Sequence, residues 1–206
     1  MWLLSLHTPI PEPEGFFYTQ NNWIGKMRKQ RKGKITLVLG ATRSGKSSYA
    51  RHIVEEGCDR PVYLATAEGL DGEMRERIAR HRAERGPKWA CIEEPLDIAQ
   101  VIRNISSKID GVLLDCITLW LSNVLIKEGW KNFAKRRKDL LSALQCMSCD
   151  IVIVSNEVGM GLVPDNQLGR EFRDYAGWLN QDIAKIADNV VFVMAGIPLL
   201  LKGEKS

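Results

Sequence analysis

One eight-residue segment constrains this chain more than any other. Gly40, Ala41, Thr42, Arg43, Ser44, Gly45, Lys46 and Ser47 have the spacing G-x-x-x-x-G-K-S, and they follow residues 35–40 (ITLVLG), a short apolar run of buried-strand type. The glycines allow backbone N–H groups to curl around a phosphate where a Cβ would clash. Lys46 is placed to reach β- and γ-phosphates, and Ser47 to ligate Mg²⁺. A helix expected over about 46–56 adds its N-terminal dipole to the same anion site.

The rest of the chain repeats the strand-then-helix order. Residues 61–66 (PVYLAT), 111–116 (GVLLDC), 150–155 (DIVIVS) and 190–195 (VVFVMA) read as buried strands. Residues 89–92 read as a short strand, and 199–202 as a segment pairing beside the last long one. Helices are expected over about 70–85, 95–105 with Pro95 in the first turn, 117–127, 130–146 and 167–187. Apolar strands alternating with helices imply an α/β fold with a mostly parallel sheet covered on both faces. Ligands bind beyond the carboxyl ends of such strands, so the functional residues should gather there. Neither an internal repeat nor a linker interrupts 35–206, which is read as a single domain.

Charge separates this domain from what precedes it. Of 29 basic and 25 acidic residues, six and two lie in 1–34, so 35–206 carries 23 of each. A balanced domain does not attract nucleic acid as a whole, and none is expected as a partner. Residues 1–34 alternate prolines with polar residues and end in a basic run, and they are expected to form a flexible basic leader. Five cysteines, an odd number and widely scattered, do not form a disulfide framework; a reducing, cytoplasmic setting fits them. Cys146-Met-Ser-Cys149 lacks the second pair a zinc site needs, so its thiols are read as ordinary ones. No apolar run reaches the roughly 20 residues of a membrane helix.

Three further features bear on chemistry. Asp115 ends the GVLLD strand, where an acid serves as a second Mg²⁺ contact in nucleotide-hydrolysing folds or simply as a solvated strand end. His81 lies amid Arg75, Arg77, Arg80, Arg82 and Arg85. A neutral imidazole there is a competent phosphorus nucleophile, although pattern alone favours a helix-face histidine packing beside Ile78. Ser155-Asn-Glu-Val-Gly-Met-Gly161 follows the fourth long strand at its ligand end, and Asp165 and Asn166 are placed to cap the helix beyond it.

Taken in order, VLGATRSGKSSYA, VYLATAE, DGEMRERIARHR, LLDCITLWLSN, VSNEVGMGLVPDN and GREFRDYAGWLNQDIAKIADNVVFVMAGIPLLLK resemble the bifunctional adenosylcobinamide kinase/adenosylcobinamide-phosphate guanylyltransferase family of cobalamin biosynthesis. The resemblance covers about 35–202. The phosphate loop is shared by many families, whereas NEVGMG followed by FRDYAGWLNQ is far more specific.

The resemblance implies a P-loop, RecA-like fold and a homotrimer. It implies phosphorylation of adenosylcobinamide by ATP or GTP, then transfer of GMP from GTP to adenosylcobinamide phosphate through a guanylyl-histidine. By position it assigns nucleotide contacts to the phosphate loop, to Ala65, Thr66 and Ala67, to Arg82, Ala83, Glu84 and Arg85, and to Glu93 and Asp115. It makes His81 the nucleophile, reversing the pattern-only reading. Some relatives carry two adjacent histidines where this chain has Arg80-His81, so His81 is the single candidate. Mg²⁺ at Ser47 and Asp115 completes the implied site. Either Glu93 or Glu84 could read guanine by accepting from its N1–H and exocyclic amine. Two other readings remain at this point: a P-loop kinase of another small alcohol, with His81 idle, and a non-catalytic nucleotide-dependent module using the basic leader.

Overall fold

The computed structural model describes residues 33–68, 86–105 and 108–204. Its strands are β1 (Ile35–Gly40), β2 (Pro61–Ala65), β3 (Ala90–Glu93), β4 (Gly111–Asp115), β5 (Asp150–Asn156), β6 (Asn189–Met194) and β7 (Ile197–Lys202). Its helices are α1 (Lys46–Gly57), α2 (Ile98–Arg103), α3 (Ile117–Glu128), α4 (Trp130–Gln145) and α5 (Gln167–Ile186). The strands form one sheet in the order β3-β2-β4-β5-β1-β6-β7. Every pairing is parallel except β6 with β7, which is antiparallel. The expected α/β architecture is therefore present.

The apolar runs make strands because both of their faces are covered. Ile35, Leu37, Leu39, Ile151 and Ile153 pack with α3, α4 and α5 through Trp120, Leu121, Leu140, Leu144, Leu179 and Ile183. The alternate residues Val38, Leu113, Val152 and Val154 pack on the other face with Ala50 and Val54 of α1. Period-two alternation thus divides the core into two layers, and the next residue along each strand can be assigned to a layer by counting. Tyr175 of α5 stacks on Trp130 of α4 at 4.1 Å between centroids, fixing that helix pair at its outer end.

Three aspartates pin the amino ends of the strands. Asp150 Oδ1 accepts from the Lys34 N–H and Asp188 Oδ2 from the Ile35 N–H, both at 2.8 Å. Asp110 accepts from the N–H groups of Asp59 and Arg60 at 3.0 Å. These bonds set where β1 and β2 begin, and hence where their carboxyl ends lie.

The connections place the site. The chain leaves β1 through α1 and reaches β2 by passing β5 and β4; it leaves β5 through α5 and reaches β6 by passing β1 in the opposite sense. Parallel crossovers share one hand, so opposite directions lie on opposite faces, and a crevice opens at the carboxyl end of β1. Two local expectations are corrected. The helix expected from Pro95 begins at Ile98, because Glu94 Oε1 accepts from the N–H groups of Leu96 and Asp97 at 2.9 Å and holds a turn there. The last strand runs over Ile197–Lys202 rather than 199–202. The helix expected over 70–85 falls within 69–85, outside the described residues.

Candidate nucleotide site

The phosphate loop rises from β1 and closes on itself before α1 begins. Arg43 and Gly45 both take positive φ, 59° and 92°. Ser44 N–H donates to the Ala41 carbonyl at 3.2 Å, and Ser44 Oγ accepts from the Lys46 N–H at 3.4 Å. The Gly45 carbonyl accepts from Tyr49 N–H at 3.0 Å and starts the helix. Lys46 is buried and turns back across the loop, donating from Nζ to the Ala41 carbonyl at 3.1 Å. A cation is thus held over the concavity that the loop encloses. Gly40 admits no side chain: a Cβ would stand 2.5 Å from Ser44 Oγ and 2.6 Å from the Val193 carbonyl. The turn between β6 and β7 braces the loop from outside, with Gly196 N–H donating to the Ser44 carbonyl at 2.8 Å.

Asp115 ends β4 on the α1 side of the sheet, where Tyr63 of β2 donates its hydroxyl to Asp115 Oδ2 at 3.0 Å. Beside it, Thr66 Oγ1 donates to the Cys116 carbonyl at 2.7 Å and accepts from the Cys116 N–H at 3.0 Å. Asn123 of α3 then holds the Thr66 carbonyl at 2.7 Å and the Pro95 carbonyl at 3.2 Å. The Cys116 thiol is pushed up to about 12, chiefly by burial and further by the Asp115 charge. It stays protonated at neutral pH and is no nucleophile.

A second polar cluster ties down the end of β5. Thr118 and Ser155 hydroxyls lie 3.2 Å apart, and Ser155 Oγ donates to Asn180 Oδ1 at 2.6 Å. Asn156 N–H donates to Thr118 Oγ1 at 2.8 Å, and Asn180 Nδ2 donates to the Asn156 carbonyl at 3.2 Å. Glu157 N–H donates to the Gly40 carbonyl at 3.2 Å, joining this cluster to the first residue of the phosphate loop. Buried polar groups in such clusters are satisfied by partners from several elements, which makes the strand ends rigid.

The structure therefore brings the phosphate loop, Ala65, Thr66, Ala67 and Asp115 to one end of the sheet. Glu93 is at the same end but on the outermost strand, paired in register with Ala65 and exposed. It stands four strand spacings from β1, about 19 Å across the sheet. His81, Arg82, Ala83, Glu84 and Arg85 lie outside the described residues. Asn166 caps α5 as expected, its side chain accepting from the Gly169 N–H at 2.7 Å, whereas Asp165 does not fill that role. Tyr63, Thr118, Asn123 and Asn180 belong to the site's framework and were not singled out from the sequence. Among the described residues no helix is long and apolar enough to cross a membrane.

Comparison with known proteins bears on the same region. The family model described as cobinamide kinase / cobinamide phosphate guanyltransferase matches residues 36–201. The bifunctional adenosylcobalamin biosynthesis protein CobP of Pseudomonas aeruginosa is 44% identical over 168 residues, which cover 82% of this chain and 97% of that protein. The bifunctional adenosylcobalamin biosynthesis protein CobU of Escherichia coli K12 is 35% identical over 181 residues, covering 82% and 99%. Among solved structures, a prototypical ATPase from the type III secretion system of pathogenic bacteria superposes with a TM-score of 0.51 at 12% identity, over 78% of this chain and 51% of that one. That likeness concerns the fold alone.

Proposed function

The chain belongs to the cobinamide kinase / cobinamide phosphate guanyltransferase family, and we propose that its strand-end site performs both reactions of that name on one nucleotide-binding frame. The observation that carries this reading is the closed phosphate loop. Lys46 Nζ is already turned over the concavity on a carbonyl of the loop, 3.1 Å away. An entering triphosphate replaces that neutral acceptor with an anionic one, a stronger partner for an ammonium group.

In the kinase step, the primary hydroxyl oxygen of adenosylcobinamide attacks the γ-phosphorus of ATP or GTP. The bond from that phosphorus to the β–γ bridging oxygen breaks, the hydroxyl proton is lost, and the nucleoside diphosphate leaves. Lys46 and the loop N–H groups offset charge on the phosphates during the transfer. Ser47 is half-buried at the start of α1, and Asp115 Oδ1 makes no hydrogen bond to a described residue. This hard-oxygen donor pair suits Mg²⁺, which characteristically takes one or two protein ligands and fills its shell with phosphate and water. When bound there, the ion neutralises phosphate charge.

In the guanylyl step, a His81 ring nitrogen attacks the α-phosphorus of GTP and pyrophosphate leaves. A phosphate oxygen of adenosylcobinamide phosphate then attacks the same phosphorus and frees the histidine. Splitting one transfer into two displacements is the usual gain from a covalent nucleophile. The buried Cys116 thiol stays protonated at neutral pH and offers no competing nucleophile, which is consistent with assigning that role to the imidazole. Arg82, Ala83, Glu84 and Arg85 complete the nucleotide contacts in this reading, with Ala65, Thr66 and Ala67. Glu93 is too far from the loop to touch phosphate and is assigned to the base end. A homotrimeric, cytoplasmic enzyme with a basic leader before residue 35 belongs to the same reading, as does the absence of nucleic acid as a partner.

The direct test supplies the purified chain with Mg²⁺, ATP and adenosylcobinamide, and follows the corrinoid by chromatography and mass spectrometry. The expected product carries one added phosphoryl group, and a further GMP once GTP is supplied. Nucleotide hydrolysis with no modified corrinoid would leave a kinase of another alcohol as the better reading.

A further inference from the structure

Asn156 ends β5 beside the phosphate loop, and nothing above uses its side chain. The pleat settles where that side chain points. Ile151 and Ile153 face the α3–α5 layer, and Ser155 on that side bonds to Asn180. Val152 and Val154 face the α1 layer. Alternation therefore turns the Asn156 side chain toward α1. By the same count Gly40, two residues beyond Val38, and Asp115, two beyond Leu113, lie on the α1 side. Gly40 is the register partner of Asn156, and Asp115 that of Val154. Asn156 thus stands between the first residue of the phosphate loop and the strand-end carboxylate, two residues further along the sheet than the level of Asp115.

Its backbone is held on every side, by Thr118 Oγ1, by Asn180 Nδ2 and through Glu157 by Gly40. Its side-chain amide, in contrast, makes no hydrogen bond to any described residue and is half-buried. A rigidly mounted, neutral donor facing an anion site is what recognition of a phosphoryl oxygen requires. The loop N–H groups take the α- and β-phosphates, and the lysine takes β and γ. The group bordered by both Lys46 and Asp115 is then the terminal phosphate.

We propose that Asn156 is the γ-phosphate contact of this site, donating from Nδ2 to a γ-phosphoryl oxygen of the bound nucleoside triphosphate. The proposal rests on the loop binding a triphosphate, and it deepens the reading above by separating the two reactions. Phosphoryl transfer displaces the group Asn156 holds. Guanylyl transfer reacts at the α-phosphorus, and there Asn156 touches only the far end of the departing pyrophosphate.

The test compares the full chain with Asn156→Ala and with Asn156→Asp, which keeps the size of the side chain should the alanine variant not fold. Calorimetry measures affinity for GDP and for a non-hydrolysable GTP analogue, each with Mg²⁺. Loss of one hydrogen bond to a charged group should weaken the triphosphate analogue roughly tenfold or more while leaving GDP unchanged. Asn156→Asp should weaken the analogue further through like charge. In turnover, kcat for corrinoid phosphorylation should fall about 100-fold, with the rate of guanylyl-protein formation nearly retained. Equal weakening of GDP and triphosphate, or no weakening of either, would overturn the proposal. If the unaltered chain does not phosphorylate adenosylcobinamide, the functional reading fails, yet the affinity comparison still decides the role of Asn156.

Discussion

Gly40→Ala probes the coupling between the sheet and the phosphate loop. The added Cβ would lie 2.5 Å from Ser44 Oγ and 2.6 Å from the Val193 carbonyl, both well inside contact distance. The second neighbour is main chain in β6 and cannot rotate away. The first could turn, but it accepts from the Lys46 N–H, so relief there distorts the loop. Overpacking of this kind costs about 1–3 kcal/mol. For a domain of this size each kcal/mol moves Tm by about 2–4 °C, so the midpoint should fall by roughly 2–12 °C. Nucleotide affinity should fall at least about tenfold, because a displaced loop loses one or more charged hydrogen bonds to phosphate. Thermal denaturation and titration calorimetry measure the two effects separately. Gly177→Ala is the control: it sits within α5, a Cβ there meets no atom within 4 Å, and the change should stabilise by about 0.5–1 kcal/mol. An unchanged midpoint and unchanged affinity for Gly40→Ala would refute the close-contact argument.

Asn123→Ala removes the donor shared by the Thr66 and Pro95 carbonyls; the buried Thr66 carbonyl then goes unsatisfied, and chemical denaturation should show a loss of about 1–3 kcal/mol. The Asp110 carboxyl is raised by burial but more strongly lowered by the Arg60 and Asp59 N–H groups, so its net pKa is depressed in the folded state. Its contribution to stability is therefore present above the ordinary carboxylate range and is lost as pH falls through the depressed value. Acid titrations of stability should show Asp110→Asn less stable than the parent at neutral pH, with the gap closing in acid. In mildly alkaline buffer iodoacetamide should label the exposed Cys91 and Cys146 and spare Cys116, whose thiol burial holds near 12; peptide mapping reads the pattern.

What the sequence made legible depended on how local the signal was. The phosphate loop needs one strand, eight residues and the first turn of a helix, all contiguous, and its geometry followed its spacing. The buried strands were legible for a similar reason, since full burial on both faces leaves unbroken apolar runs. The frame around the loop was not. Tyr63, Thr118, Asn123 and Asn180 come from three separate segments, β2, α3 and α5, and gather around the site only when β2, β4 and β5 end side by side. Each is a single polar residue with no local pattern to mark it. Asn156 lay inside a segment noticed for its glycines, but its role follows from register with Gly40, which pairing reveals and spacing does not. The start of α2 was misplaced because Pro95 suits a first helical turn, while the Glu94 carboxylate captures the N–H groups that would have begun it.

The central claim is that one frame supports both phosphoryl and guanylyl transfer, the second through His81. The most direct measurement incubates the chain with Mg²⁺ and GTP labelled at the α-phosphate, denatures it, and follows the label on protein. Label that persists in base, is lost in acid, and is absent both from His81→Ala and with γ-labelled GTP is the predicted result, as a phosphoramidate requires. No retained label, or equal label on His81→Ala, would contradict the account and leave the phosphate loop serving a kinase alone.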